Sequence, residues 1–159
     1  MKLAKGLGEF FGLDIDTNAV RVVQLSRTGA GWSLSHYGYT PVDSKITSGD
    51  SPESKRRLGE AIMTAVGQAG IKASNVAVGL PSNKTFSTII DVPKVPEQEL
   101  KAMMKYQIDQ YIPMSLDEAE VDWALLGDSL HAQNQYEILL TSTAKSYAEE
   151  RLELVENLG

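Results

Sequence analysis

The chain has 159 residues, of which 42% are hydrophobic and 23% are charged, and its formal net charge is −6. This composition is typical of a globular protein with one core or two small subdomains, and no apolar run reaches the roughly 18–20 residues of a membrane-spanning helix. The negative charge argues against non-specific nucleic-acid binding. The absence of cysteine excludes disulfides, cysteine-ligated metal sites and a cysteine nucleophile.

The first part of the chain is predicted to form a flexible arm followed by three strands. The arm is residues 1–10, which lack the long apolar region and the cleavage site of a secretory signal. Runs rich in β-branched and alternating residues predict a buried strand at 11–16 and further strands at 20–25 and 32–39. Turn sequences separate these strands, so the pattern is that of a β-meander.

A helix is predicted to begin at Ser51 and to end near Ala69. The Ser51 hydroxyl can cap free N–H groups, Pro52 suits the first helical position, and Gly70 suits the residue after the helix. A short buried strand is predicted next, at residues 75–80. The order of this first part is therefore β-β-β-α-β.

The second part of the chain is predicted to be β-α-β-β-α. Alternation predicts a strand at 85–92, and a helix that opens at Val95–Glu97 is expected to run until Pro113, because the residue before a proline disfavours the α conformation. The remaining predicted elements are strands at 120–126 and 136–141, a polar connector at 127–135, and a helix at 144–158 capped by Gly159.

The turn between the first two strands carries four candidate nucleotide-phosphate residues, Asp14, Asp16, Thr17 and Asn18. The segment Gly12–Asn18 resembles the first phosphate-binding hairpin of the actin-like ATPases, in which a strand ends in Asp-x-Gly-Thr/Ser. In that hairpin the glycine lets backbone N–H groups approach phosphate oxygens, the hydroxyl adds a hydrogen bond, and the first aspartate orients a magnesium ion through water. Here Asp16 stands at the glycine position, which favours a plain acidic β-turn over a nucleotide site.

Further sequence matches make the resemblance more specific. In chain order they are Val78–Pro81, Val92–Pro96, Tyr106–Gln107, Gln110–Glu118, Val121–Trp123 and Glu149–Arg151. In order and spacing they resemble the PilM family of type IV pilus assembly proteins across essentially the whole chain. The cell-division scaffold FtsA shares the superfamily but has a different inserted subdomain, and the chain resembles it less.

The resemblance implies an α+β (α/β) fold in which residues 11–80 are the first part of the actin-like, ribonuclease H-like subdomain 1A. Residues 81–159 would be an inserted subdomain 1C of the SHS2 type. Family members continue for about as much chain again, which implies a truncated protein, a proteolytic fragment or a reduced natural variant. An actin-type ATP site lies between two halves, so we expect no cofactor and no catalysis for this chain. ATP and Mg²⁺ binding is left open for a full-length parent.

The resemblance also implies a scaffold on the cytosolic face of the inner membrane. PilM-like proteins hold the short cytosolic N-terminal peptide of the membrane protein PilN in a groove between 1A and 1C, and they connect it to the pilus motor ATPases. The expected partner is therefore a PilN-like peptide, with motor ATPases and further copies of the chain as additional candidates. We expect no nucleic acid, and only indirect membrane contact.

The candidate residues of that groove are Tyr111, Ile112, Pro113 and Met114. The acidic residues that follow either attract a basic residue of the peptide or form a solvated acidic loop, and they are Asp117, Glu118 and Glu120. A second interpretation is that Ile112 and Met114 fill the subdomain core and that Pro113 only stops the helix.

Three other functions remain open at this point. An actin-fold ATPase or sugar kinase would need a second half with a catalytic carboxylate. An FtsA-like scaffold would need a C-terminal amphipathic membrane helix, which the sequence does not show. An unrelated module would share only the order of elements, and the run at 111–113 argues against it. No catalytic residue and no metal site is predicted, because His36 and His131 lack partners at metal-ligand spacing.

Overall fold

The computed structural model describes residues 9–29 and 31–158, which group into two compact units. We call Ser82–Glu149 the inserted unit. The meander unit combines residues 9–81 with residues 150–158. Each unit has its own sheet and its own hydrophobic core.

The sequence predicted an arm at the start of the chain, a helix cap at Gly159 and an insert that ends at the end of the chain. The arm expected at 1–10 lies outside the described residues except at its end, where Phe10 already begins a strand. The expected helix cap, Gly159, also lies outside them. The insert was expected to continue to the end of the chain, whereas residues from Glu150 onward group with the meander unit. The reason is that side chains such as Leu158 pack against the hydrophobic core of that unit.

The meander unit contains the elements β1 (Phe10–Ile15), β2 (Ala19–Thr28), β3 (Gly31–Pro41), α1 (Ser44–Thr47), α2 (Pro52–Ala69) and β4 (Asn75–Gly79). Its four strands form one sheet of order β3-β2-β1-β4. β1 pairs antiparallel with β2, and β2 with β3, while β4 lies parallel to β1. A parallel neighbour requires a crossover connection, and α2 lies within it.

The predicted order β-β-β-α-β is confirmed for this unit, with α1 added between β3 and α2. The predicted start and end of α2 are also confirmed. The Ser51 side chain accepts a hydrogen bond from the Ser54 N–H at 3.1 Å, and Pro52 is the first helical residue. Gly70 follows the helix with a φ of 69°, in the left-handed region that favours glycine.

The two faces of this sheet differ in their exposure. Leu13, Val20 and Val22 are buried on the face that packs with Leu58 and Ile62 of α2. The opposite face carries large apolar side chains between 42% and 74% exposed, namely Val23, Leu25, Trp32, Leu34, Tyr37 and Tyr39. The sheet is therefore covered on one face only within the described part of the chain.

Two strands expected to be buried are only partly so. In β1, Phe11 and Leu13 are buried but Asp14 is exposed, because neighbouring residues of a strand point to opposite faces. β4 contains no buried residue. It lies at the edge of the described sheet, with β1 on one side only.

The inserted unit contains β5 (Thr85–Pro93), α3 (Glu97–Gln107), β6 (Ala119–Asp128) and β7 (Gln135–Ala144), with 3₁₀ helices at Ser82–Lys84 and Ile108–Gln110. The last helix, α4 (Lys145–Glu156), begins in this unit, and its residues from Glu150 onward group with the meander unit. The three strands form an antiparallel sheet of order β5-β7-β6. Leu100 and Met104 of α3 are buried in one core with Ile138 and Leu140 of β7. The predicted order β-α-β-β-α is confirmed. The helix expected to reach Pro113 instead ends at Gln107 and tightens into the second 3₁₀ helix.

Candidate functional site

The β1–β2 hairpin brings the four candidate phosphate residues together at one turn. Asp14 lies near the end of β1, and Asp16, Thr17 and Asn18 connect it to β2. The Asp16 N–H donates to the carbonyl of Ala19 at 2.9 Å, which closes the turn. The predicted grouping of these residues follows from their closeness in sequence.

Arg21, which the sequence analysis did not select, binds both carboxylates of the hairpin. Its Nη1 lies 2.8 Å from Asp14 Oδ2 and 3.1 Å from Asp16 Oδ2, and its Nη2 lies 3.2 Å from Asp16 Oδ2. Its guanidinium also lies over the ring of Tyr39, 5.9 Å from the centroid. Asp14 and Arg21 are direct partners in the β1–β2 register, and their side chains therefore share one face of the sheet. The signal that could have found Arg21 was this hairpin register.

The backbone groups of the turn are also hydrogen-bonded. The Thr17 N–H donates to Asp16 Oδ1 at 2.7 Å. The Thr17 carbonyl accepts from Thr47 Oγ1 at 2.7 Å, and the Asn18 carbonyl accepts from the Val42 N–H at 2.8 Å. These bonds tie the turn to the segment that leads into and forms α1.

The charges of the hairpin are mutually stabilised. The Thr17 N–H, and after it the Arg21 side chain, hold the pKa of the Asp16 carboxyl below its ordinary value. The two aspartates raise the pKa of Arg21, with Asp14 as the larger cause. All three side chains are about half exposed, so solvent and salt weaken these interactions.

This arrangement does not fit a nucleotide phosphate at the turn. The Asp16 carboxylate already accepts from the Thr17 N–H, a donor of the kind that a glycine at position 16 would leave free for phosphate. Asp14, the counterpart of the magnesium-orienting aspartate, is paired with Arg21. Within residues 9–29 and 31–158 there is also no cluster of three or more histidine, aspartate or glutamate side chains arranged to hold a metal ion.

The candidate groove residues lie in the loop that follows the 3₁₀ helix Ile108–Gln110. Ile112 is 8% exposed and belongs to the core of the inserted unit. Tyr111 and Met114 pack partly against the same core, and Pro113 is exposed. Ile112 is therefore a core residue, as the second interpretation held, while the other three keep solvent-accessible surface.

The rest of this loop contains an apolar residue that the sequence analysis overlooked. Leu116 is 41% exposed and stands beside the exposed Asp117 and Glu118. Two turn hydrogen bonds shape this stretch, from the Glu118 N–H to the Ser115 carbonyl at 3.1 Å and from the Ala119 N–H to the Leu116 carbonyl at 3.4 Å. An apolar residue directly before two acidic residues was the available signal. We call residues 111–118 the acidic loop.

A concave surface in the meander unit was not anticipated either. It is a cavity of about 510 Å³ between α2 and the segment from Glu150 onward. Leu58 and Leu158 contribute apolar lining, and Lys55 Nζ lies 2.7 Å from Glu150 Oε1 within it. Sequence patterns did not reveal it because it depends on tertiary packing between segments far apart in the chain.

Comparison with known proteins settles the family. The model of the type IV pilus assembly protein PilM family matches residues 12–159. The chain belongs to this family. The membership confirms the resemblance seen in the sequence and sets aside the alternative of an unrelated module.

Two solved structures share the fold with this PilM-family chain. A structure described as the PilM–PilN type IV pilus biogenesis complex matches with a TM-score of 0.76 at 22% identity, covering 95% of this chain and 45% of that one. The cytoplasmic domain of EpsL, an inner-membrane component of the type II secretion system of Vibrio cholerae, matches with a TM-score of 0.53 at 12% identity, covering 96% of this chain and 54% of that one.

These likenesses confirm the predicted actin-like α/β fold. The chain spans about half the length of the two solved proteins. None of the helices in the described part of this PilM-family chain is both long and apolar enough to cross a membrane.

Proposed function

We propose that this chain is a scaffold in type IV pilus assembly and that it binds the N-terminal cytosolic peptide of a PilN-like membrane protein. Its membership of the PilM family and its fold likeness to a protein solved as a PilM–PilN complex support this proposal. A place at the inner face of the inner membrane would follow from such a partner. We propose no catalytic reaction for the chain.

The observation that carries peptide binding is the composition and anchoring of the acidic loop. Tyr111, Met114 and Leu116 offer apolar surface, and Asp117 and Glu118 offer negative charge beside it. A short peptide with apolar side chains and a basic residue complements both features. The acidic side chains would mainly raise the association rate at low salt, while the apolar contacts would supply most of the affinity.

The loop is also held in place before any partner binds. Ile112 fixes its first part in the core, and the Glu118 carbonyl accepts a hydrogen bond from the Lys145 N–H at 2.8 Å at its end. A loop fixed at both ends loses little conformational entropy on binding, which favours affinity for a short ligand.

The test is a calorimetric titration with a synthetic peptide that copies the cytosolic N-terminus of the PilN-like protein from the same genome. Leu116→Ser removes an exposed apolar contact, and we expect it to weaken binding by about tenfold, as for a residue at an interface centre. Leu130→Ser is the matched control, because Leu130 is 86% exposed and lies in the β6–β7 connector of the same unit. It should bind the peptide as the unchanged chain does.

The Tyr111→Ala variant is a second test of peptide binding at the acidic loop. It should abolish or strongly weaken binding, and circular dichroism must show that the variant stays folded, because Tyr111 packs partly on the core. Absence of binding by this chain, with circular dichroism showing that it is folded, would overturn the proposal. Equal loss in the Leu116→Ser and Leu130→Ser variants would move the binding surface away from the acidic loop.

A further inference from the structure

The Asp16 carboxylate is bound through both of its oxygens. Oδ1 accepts from the backbone N–H of Thr17 at 2.7 Å, and Oδ2 accepts from both terminal nitrogens of Arg21 at 3.1 and 3.2 Å. A backbone N–H at a turn together with a guanidinium is the donor set that proteins commonly offer to a phosphate oxygen. Here that donor set binds a carboxylate of the chain itself, the side chain of Asp16.

We infer that the Asp16 side chain fills the anion position of the β1–β2 hairpin, so that this hairpin is completed without a nucleotide phosphate. An internal carboxylate thereby takes the place that a phosphate oxygen would take at this turn. This inference is independent of peptide binding, which concerns the acidic loop in the other unit.

The charges around the turn explain why a phosphate would not compete. Asp14 and Asp16 bring two negative charges to one guanidinium, which leaves the hairpin with a net charge of about −1. An incoming phosphate would meet this negative charge and would also have to displace Asp16 from the Thr17 N–H and from Arg21. Because Tyr39 stacks with Arg21 and Asp14 binds it, the guanidinium is held on the hairpin whether or not Asp16 is charged.

Removing the Asp16 carboxylate should therefore create an anion site. Arg21 would remain paired with Asp14, the net charge of the hairpin would rise to about zero, and the Thr17 N–H would be free. Asn134 is the one non-glycine residue with a positive φ among those described, so the backbone at position 16 accepts alanine without strain. Asp16→Ala and Asp16→Gly are accordingly both suitable variants, and the glycine variant also permits the closest approach of a phosphate.

The experiment is a titration of the ¹⁵N-labelled full chain with tripolyphosphate, in which the Thr17 amide resonance is followed by NMR. In the unchanged chain we expect no saturable shift. In Asp16→Ala and Asp16→Gly we expect a saturable shift of Thr17, with an affinity at least about fivefold above the upper limit that the unchanged chain sets. Fivefold is about the factor for removing one like charge about 4 Å away in water.

A matched control tests whether tripolyphosphate binding requires Arg21 or follows from the loss of any aspartate that accepts a backbone N–H. Asp122 makes the same contact with the next residue, since the Trp123 N–H donates to its Oδ1 at 2.8 Å. Asp122→Ala should therefore free an N–H in the inserted unit without the Arg21 guanidinium beside it, and tripolyphosphate should not shift the Trp123 amide.

Two results would overturn the inference. One is saturable binding of tripolyphosphate at Thr17 in the unchanged chain, because the position would then not be filled by Asp16. The other is a folded Asp16→Ala or Asp16→Gly variant whose Thr17 amide stays unshifted, because the donor set would then not be an anion site. The tripolyphosphate titration does not depend on peptide binding, so a failure of peptide binding would leave this inference unaffected.

Discussion

Replacing Gly38 with alanine tests how closely α2 packs against the sheet of the meander unit. A Cβ atom at Gly38 would lie 2.5 Å from the carbonyl oxygen of Ala65 and 3.0 Å from Cγ2 of Val22. The nearest of these atoms belongs to helix backbone, so it cannot turn aside as a flexible side chain could. Carbon–oxygen contacts are normally about 3.3 Å or longer, which means that α2 or β3 must move by about 0.8 Å.

A movement of this size disturbs the core between the helix and the sheet. Leu58 and Ile62 are buried on the face of α2 that meets the sheet, and a radial gap of about 0.5–1 Å forfeits roughly a quarter to a half of each dispersion contact. Overpacking alone costs about 1–3 kcal/mol. We therefore expect Gly38→Ala to lower the free energy of unfolding by about 3 kcal/mol.

The assay is urea denaturation followed by circular dichroism, with Gly67→Ala as the control. Gly67 lies within α2 and a Cβ atom there meets no heavy atom within 4 Å, so alanine should stabilise the helix by about 0.5–1 kcal/mol. The two glycine-to-alanine changes are thus expected to have opposite signs. A Gly38→Ala chain within about 1 kcal/mol of the unchanged protein would refute the reasoning on close packing.

Three further perturbations test other parts of the fold. Leu140→Ala should destabilise the inserted unit by about 2–5 kcal/mol in the same denaturation assay, because Leu140 is fully buried in its core. Ser51→Ala should cost about 1 kcal/mol by removing the N-cap of α2, with Ser51→Asp as a rescue. Hydrogen bonds from Arg56, and then from Arg57, lower the pKa of Glu53 to about 2. Because this folded pKa lies below the ordinary value of 4.5, the stabilisation is present above pH 4.5 and is lost as pH falls toward 2. Denaturation across that range should therefore show a smaller loss for Glu53→Gln than for the unchanged chain.

The sequence predicted the helix bounds that depend on residues next to each other in the chain. The bounds of α2 followed from Ser51 and Gly70, whose capping roles are properties of a few neighbouring residues. The helix α1 was missed because its four residues are too few to show a helical periodicity. Asp43 caps it, and Thr47 Oγ1 donates to the carbonyl of Thr17 on the distant hairpin.

Burial was harder to predict than strand position. An apolar run such as Asn75–Gly79 has the same composition whether its strand lies at the centre of a sheet or at its edge. The position of β4 beside β1 alone is a consequence of topology, which periodicity does not encode. For the same reason, patterning alone could not show that the chain from Glu150 onward returns to the core of the meander unit.

In the candidate site, too, features that depend on neighbouring residues were predicted and features that depend on tertiary structure were not. The sequence placed Asp14 and Asp16 at one turn and indicated that Asp16 was a poor substitute for glycine. It did not reveal what that carboxylate binds, because Arg21 reaches it only through the pairing of β1 with β2. In the acidic loop, the sequence could not distinguish Ile112, which is buried, from its more accessible neighbours.

The two proposals lead to a cross-test, because they concern different units with separate cores. If the hairpin is completed by its own carboxylate and the acidic loop binds the peptide, Asp16→Ala should gain tripolyphosphate binding and keep the peptide affinity of the unchanged chain. Leu116→Ser should lose peptide affinity and remain without tripolyphosphate binding. These opposite effects of the two variants would assign anion binding and peptide binding to separate surfaces. A loss of peptide affinity in a folded Asp16→Ala chain would instead show that the charge of the hairpin contributes to partner binding, and the role of Asp16 would then extend beyond replacing a phosphate.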